Sequence, residues 1–513
     1  MDKSSLTFKA FKNSSYNALG YVWPIAFTLI VTPLIVFGLG VKDYGIYLFV
    51  NTVIGLFGLL DLGLGNAVTK HISYYYGKND EQSMKRLGHS ANSLFFIIAF
   101  IGLVATAAIS VWGIDILPGK FAEYDKYSIL FIIGGGIFFL NTISSTSNSI
   151  IVAVQRFDIY NKISIASTTM MSLGTLLVIK MGGSLVAVFL MQLVFTAIVN
   201  FLIIHNAKKL LPISFLGLEW DKSEIKKCYM FGLVNFVNNI ATSALTSLDR
   251  LIIPLFVGPT NLTYYSMPGN VTTKIPAMSH TMGMSLFPTV SQLSGSEDID
   301  RIKTLYIRSF RLITILAGAL TIVSISFSYK ILLFWLDSNF AEKSSAVLIV
   351  LALTNFILAL FNPLSNFLLG LGKLKFLTLS SLSMALLNII LLFILLPKYG
   401  ILGAAYAYLI SVLPVAYFFY YVEKHYLILS GRKNYYIKVI LGTIITSALI
   451  WVINLGLTLF IVNLPTLLLV GAGSVLLYII LYRVLGFFHE EDWADLERFS
   501  SILISKILFF KKP

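Results

Sequence analysis

Residues 88–112 read GHSANSLFFIIAFIGLVATAAISVW, and no charged side chain occurs from Leu94 to Trp112. A helix rises 1.5 Å per residue, so about 20 apolar residues span the hydrocarbon core of a bilayer. Working outward from this run, thirteen more of similar length appear: 17–38, 45–68, 127–153, 159–180, 184–205, 229–257, 264–290, 309–333, 344–370, 376–396, 401–422, 437–461 and 464–485. They are uniformly apolar, whereas outer-membrane barrels need alternating segments of about ten residues. The expected fold class is an all-α polytopic membrane protein with about fourteen transmembrane helices.

Composition agrees. Of the 513 residues, 57% are hydrophobic and 12% charged, about half the charge of a soluble globular domain. Mean hydropathy is +0.83. A soluble multidomain enzyme and a disordered chain are both excluded. Cys228, the single cysteine, excludes a disulfide framework, and with six scattered histidines no metal site is expected.

The net charge of +14 would suit a nucleic-acid binder only if the basic residues shared one soluble face. Instead they sit in short loops between apolar runs. With the amino terminus placed inside, 29 of the 38 Lys and Arg fall on the inner side and 7 on the outer, leaving Arg250 and Lys274 within spans. That asymmetry is the positive-inside bias. It predicts cytoplasmic amino and carboxy termini and no nucleic-acid partner. Met1-Asp2-Lys3-Ser4-Ser5 leads into no signal-peptide h-region, so no cleaved leader is expected. No P-loop motif occurs. Glu490, Glu491 and Asp492, followed by Trp493, Leu496, Phe499 and Leu503 at helical spacing, predict an amphipathic helix on the inner membrane face.

The chain also repeats weakly. Gly40 falls on Gly258, Tyr47 on Tyr265 and Gly65 on Gly283 at an offset of 218, and the turn Gln155-Arg156-Phe157-Asp158 falls on Gly372-Lys373-Leu374-Lys375 at 217. Six spans separate equivalent points, so the halves have the same orientation, a parallel repeat. The expected organisation is an N-lobe at 1–210, a C-lobe at 211–425, two added helices at 426–485 and a cytoplasmic amphipathic tail at 486–513. A central cavity is expected between the lobes.

Polarity inside the membrane is concentrated in the seventh run: Asn235, Asn238, Asn239, Thr242, Ser243, Thr246, Ser247, Asp249 and Arg250. Positions 235, 239, 242, 246 and 249/250 step by three or four, which draws one polar stripe along the helix. Hydrocarbon cannot satisfy those groups. Interhelical hydrogen bonds would explain one or two of them; nine, ending in a charge pair, suit a hydrated cavity better. Lys274 lies in the eighth run. Counted from the turn at 258–263, Arg250 and Lys274 both lie roughly 15–20 Å deep. This predicts a cationic cavity for a phosphate or acidic sugar, the competing reading being an ion pair with Asp249 that fixes packing. Pro268, Pro276 and Pro288 predict kinks in the same run. Asn141, Ser145 and Asn148, then Asn355, Asn362 and Asn366, then Asn17 and Thr28 are weaker cavity candidates. His280 is read as a satisfied interior histidine, with proton coupling the alternative. Asp61, in Asp61-Leu62-Gly63-Leu64-Gly65, is read as a packing residue, with cation coupling the alternative.

Leu39-Gly40-Val41-Lys42-Asp43-Tyr44-Gly45-Ile46-Tyr47 and Asp61-Leu62-Gly63-Leu64-Gly65-Asn66-Ala67 resemble the first helical hairpin of Wzx-type polysaccharide repeat-unit flippases. Gln155-Arg156-Phe157, Asp249-Arg250-Leu251-Ile252-Ile253 and the amphipathic tail are similar to the same family. It belongs to the multidrug/oligosaccharidyl-lipid/polysaccharide (MOP) exporter superfamily. The resemblance implies two six-helix lobes about a central cavity, two added helices, and alternating-access flipping of a polyprenyl-pyrophosphate-linked oligosaccharide from the inner to the outer leaflet. By position, Arg250 and Lys274 would meet the pyrophosphate. Membrane lipid, and a polysaccharide polymerase with other assembly proteins, are the expected partners. No cofactor is expected; coupling to protons, sodium or membrane potential stays open. No nucleophile–base constellation occurs, so an enzyme is not expected. The alternatives are a multidrug/cation antiporter of the superfamily, which would expose carboxylates, and a peptidoglycan-precursor flippase, which would carry midplane cations in the first two helices.

Overall fold

The computed structural model describes residues 23–116, 128–211, 217–283, 299–371, 373–427 and 433–488, with 286 and 290. The amphipathic tail, Asn17 and Pro288 lie outside the described residues, as do the side chains of Asn235, Asn238 and His280.

Every described element is helical. In chain order these are α1 (Trp23–Leu39), α2 (Val41–Phe57), a 3-10 turn (Gly58–Asp61), α3 (Leu64–Gly77), α4 (Glu81–Ile116), α5 (Ser128–Ile143), α6 (Ser145–Ala153), α7 (Phe157–Lys180), α8 (Leu185–Leu210), α9 (Lys222–Val257), α10 (Pro259–Thr272) and α11 (Lys274–Gly283). There follow α12 (Ile299–Ser326), α13 (Ser328–Trp335), α14 (Ser338–Gly370), α15 (Leu374–Val412), α16 (Val415–Val422), α17 (Lys433–Leu457) and α18 (Leu464–Val484). Among the described residues, 11 helices are long and apolar enough to cross a membrane, and α1 is a shorter apolar helix. One of the 11, running from Lys375 to His425, bends at Gly400 and holds two of the predicted runs. The protein is an all-α polytopic membrane protein with roughly fourteen membrane helices.

Several predicted runs are broken, among them 45–68 and 264–290. The run 45–68 stops at Phe57, turns through left-handed Leu62 and Gly63 (φ 51° and 74°), and resumes as α3. The run 264–290 breaks at Thr273, between Pro268 and Pro276, each of which lacks a backbone donor. A few helix starts carry side-chain caps. Asp337 accepts from the Phe340 amide at 2.9 Å, and Asn463 and Thr466 form a reciprocal capping box beside Pro465.

The chain divides into two compact units, 1–263 and 264–513, the boundary falling within α10. In the first, α4 packs along α5, α7 along α8, α5 against α8, and α2 and α3 against α9. Leu64, Val68, Ile72, Leu87, Phe95 and Ile151 form a core there. In the second, α12, α13 and α15 pack against α14, and α17 and α18 pack on α12 through Ile315, Ile322, Ile450, Tyr478 and Tyr482. Leu459, Leu468 and Leu469 are left exposed, as lipid-facing side chains are.

The sequence repeat reappears in backbone geometry. Arg156, before α7, has φ −86°, ψ 59°; Lys373, before α15, has φ −90°, ψ 50°. Gly182, between α7 and α8, and Gly400, at the bend of α15, both have positive φ (74° and 57°).

Candidate functional site

The polar stripe of α9 is partly open. Asn239, Thr242 and Thr246 are exposed, three and four residues apart, and Ser243 and Ser247 are half-buried beside them. Thr246 donates to the Thr242 carbonyl at 2.9 Å, so its oxygen keeps acceptor capacity. Asp249, three residues further on, is buried. Arg250 is half-buried and lies near enough to the buried Tyr44 of α2 for the two groups to interact electrostatically. α2 reaches this position because Gly45 has no side chain: a Cβ there would meet the Pro259 carbonyl, and the Thr263 hydroxyl donates to the Val41 carbonyl at 2.7 Å. Tyr47 is held by the Gln192 amide at 3.0 Å and by the edge of Phe189.

Lys274 belongs to the second unit. It is half-buried at the first residue of α11, immediately after the break at Thr273. The Thr273 amide donates to the Gly269 carbonyl and the Ala277 amide to the Thr273 carbonyl across the break, so the ammonium itself is the group that favours an anion there. Asn355 donates to the Thr272 hydroxyl at 3.1 Å and Asn362 to the Pro276 carbonyl at 3.0 Å. Both α14 asparagines therefore tie that helix to the broken α10–α11 segment.

Asp61 caps α3: its Oδ1 accepts the Gly65 amide at 3.2 Å, and the Gly65 carbonyl accepts the Ser149 hydroxyl at 3.1 Å. Trp23 of α1 donates to the Thr169 hydroxyl at 3.0 Å. Among the described residues no cluster of three His, Cys, Asp or Glu side chains could hold a metal ion.

Asn141, Ser145 and Asn148 line a partly open cavity of about 280 Å³ inside the first unit, with Tyr160 and Ser164 of α7 and Asn200 of α8 on its other sides. The α8 and α7 members were not among the sequence candidates. Their signal lay in the four-residue spacing of Gln192, Thr196 and Asn200, all buried, and in the spacing of Tyr160, Ser164 and Ser167.

Residues 39–345 match the family described as "Polysaccharide biosynthesis protein". The chain belongs to that family. It is 25% identical over 410 residues to a Shigella flexneri protein named "Putative O-antigen transporter", covering 78% of this chain and 94% of that one. Its fold is similar to that of the lipid II flippase MurJ in an inward closed conformation, with TM-score 0.71, 15% identity, and 93% and 99% of the two chains covered. An inward-facing multidrug MATE transporter of the MOP superfamily gives TM-score 0.58 at 13% identity, covering 79% and 96%. The chain is thus a multi-pass membrane member of that polysaccharide biosynthesis family, with a fold similar to that of these flippase and transporter structures.

Proposed function

We propose that the protein flips polyprenyl-pyrophosphate-linked oligosaccharide repeat units from the inner to the outer leaflet of the cytoplasmic membrane for surface polysaccharide synthesis. The observation that carries this reading is the α9 stripe. Exposed amide and hydroxyl groups at Asn239, Thr242 and Thr246 lead to the half-buried Arg250 within a chain of a polysaccharide biosynthesis family. Hydroxyls and amides suit sugars, which both donate and accept, and a guanidinium suits diphosphate oxygens. Lys274, just after the break at Thr273, supplies the second cation for the diphosphate in this reading. The two six-helix lobes would alternate access to the two leaflets, with both termini cytoplasmic, and the flipped unit would pass to a polysaccharide polymerase. The polyprenyl tail stays in lipid, where about 0.8 kcal/mol per CH₂ holds it.

The test is deletion of the gene followed by mass spectrometry of extracted membrane lipids. Accumulation of one polyprenyl-diphosphate oligosaccharide, with loss of the matching surface polymer, is the expected result. Unchanged lipids with raised sensitivity to cationic drugs would overturn it in favour of cation antiport.

A further inference from the structure

The cavity of the first unit has a composition unlike that of the α9 stripe and its arginine. Its lining includes no Asp, Glu, Lys, Arg or His. The charged residues of the adjoining α6–α7 turn satisfy each other: Arg156 Nε and Nη2 donate to the two carboxylate oxygens of Asp158 at 2.8 and 2.9 Å. A cationic drug or a diphosphate entering the cavity would therefore shed water without meeting a counter-charge.

Neutral groups are abundant instead, and they are pre-set. The buried Asn200 accepts from the Ser144 hydroxyl at 2.5 Å and donates to Asn141 Oδ1 at 3.0 Å. That fixes the Asn141 amide so that its nitrogen points away from the shared bond. Ser145 donates to the Asn141 carbonyl at 3.2 Å and keeps its acceptor lone pairs. Asn148's backbone N–H is held by the Ser144 carbonyl at 3.0 Å, but among the described residues its side-chain amide has no hydrogen-bond partner, which leaves two donors and one acceptor oxygen available. Tyr160, exposed at the rim, adds an aromatic face. Such groups inside a membrane helix bundle cannot look into hydrocarbon, so the cavity opens to water or to an occupant.

We infer that this cavity is a binding subsite for one uncharged pyranose of the cargo, separate from the cationic groups that meet its diphosphate. The inference rests on the flippase reading above. A sugar ring offers hydroxyls that donate and accept around its edge and apolar C–H faces for Tyr160, and it carries no charge to be stranded. Asn141, Asn148 and Asn200 supply the edge contacts; Ser164 and Ser167 line the opposite wall on α7.

The full chain is tested in a deletion strain complemented with wild type, Asn148→Leu or Ser167→Phe. Losing one sheltered hydrogen-bond partner, or filling the cavity, is expected to raise the lipid-linked oligosaccharide about tenfold. Membrane levels of protein should stay normal. A second readout excludes a merely structural effect. Ser167→Cys in a Cys228→Ser background is labelled with a maleimide in membranes from cells that make the oligosaccharide and from cells lacking its sugar transferases. Slower labelling only where the oligosaccharide is present supports the subsite. Equal labelling, or full complementation by both Asn148→Leu and Ser167→Phe while the deletion strain accumulates the oligosaccharide, overturns the subsite and leaves the flippase standing. A deletion strain that accumulates nothing overturns both.

Discussion

Gly40 and Gly258, at equivalent points of the repeat, hold the same unusual backbone: φ 84°, ψ 153° before α2 and φ 88°, ψ 161° before α10. This region is almost closed to residues with a Cβ, at a cost of about 1–3 kcal/mol. Nothing lies within 4 Å of where either Cβ would stand, so the requirement comes from the backbone alone. Each glycine lets one helix end and the next begin without an intervening loop. Gly40→Ala and Gly258→Ala should each destabilise the protein by about 1–3 kcal/mol, read as a lowered Tm of the purified protein in detergent. Gly55→Ala, in ordinary helix with open space around it, should leave Tm unchanged or raised.

If Arg250 and Lys274 bind the diphosphate, Arg250→Ala and Lys274→Ala should each cut export about ten- to hundredfold, the range for losing a charged hydrogen bond. Membrane insertion should be normal. Arg250→Lys should recover only part of the loss, because an ammonium lacks the planar fork that engages two oxygens at once. Wild-type export in both alanine variants would remove the cations from the cargo site.

The fourteen apolar runs were legible because bilayer thickness imposes one length on every span. Where the runs break was less so. Leu62 takes φ 51° although it is a leucine, and hydropathy treats a left-handed leucine like any other. The α9 stripe was legible to the extent that it lies on one helix, where three- and four-residue spacing defines a face. Its end is less uniform than that spacing alone conveys: Asp249 is buried while its neighbour Arg250 is half-buried. The neutral cavity was legible only in part. Asn141, Ser145 and Asn148 share a face of α5–α6, but nothing local announces that Ser164 and Asn200, on two later helices, complete it.

Asp61 accepts the Gly65 amide and so satisfies one of the free donors at the start of α3. Asparagine offers the same acceptor oxygen. Asp61→Asn should therefore export normally with an unchanged pH profile, while Asp61→Ala should lose about 1 kcal/mol of stability. A pH profile shifted by the asparagine variant would mean that the carboxylate carries a coupling proton, and the packing role would be withdrawn.

The start of α9, on the aqueous side of its span, gives a pH-dependent prediction. Asp221 accepts the Ser223 hydroxyl at 2.7 Å and amide at 2.8 Å, and the Glu224 amide at 3.3 Å. These bonds, the Ser223 hydroxyl first, hold its carboxyl below the usual carboxylate range. A carboxyl with a depressed folded pKa favours the folded state above its unfolded pKa, and that contribution fades as pH falls through the folded value. Asp221→Ala should accordingly melt below wild type at neutral pH, and the gap should narrow as the solution is made acidic. Asp221→Asn, which keeps an acceptor oxygen without the charge, should fall between the two at neutral pH and show little pH dependence of its own. A gap that stayed constant from neutral to acidic pH would show that the ionised carboxylate is not what starts this helix.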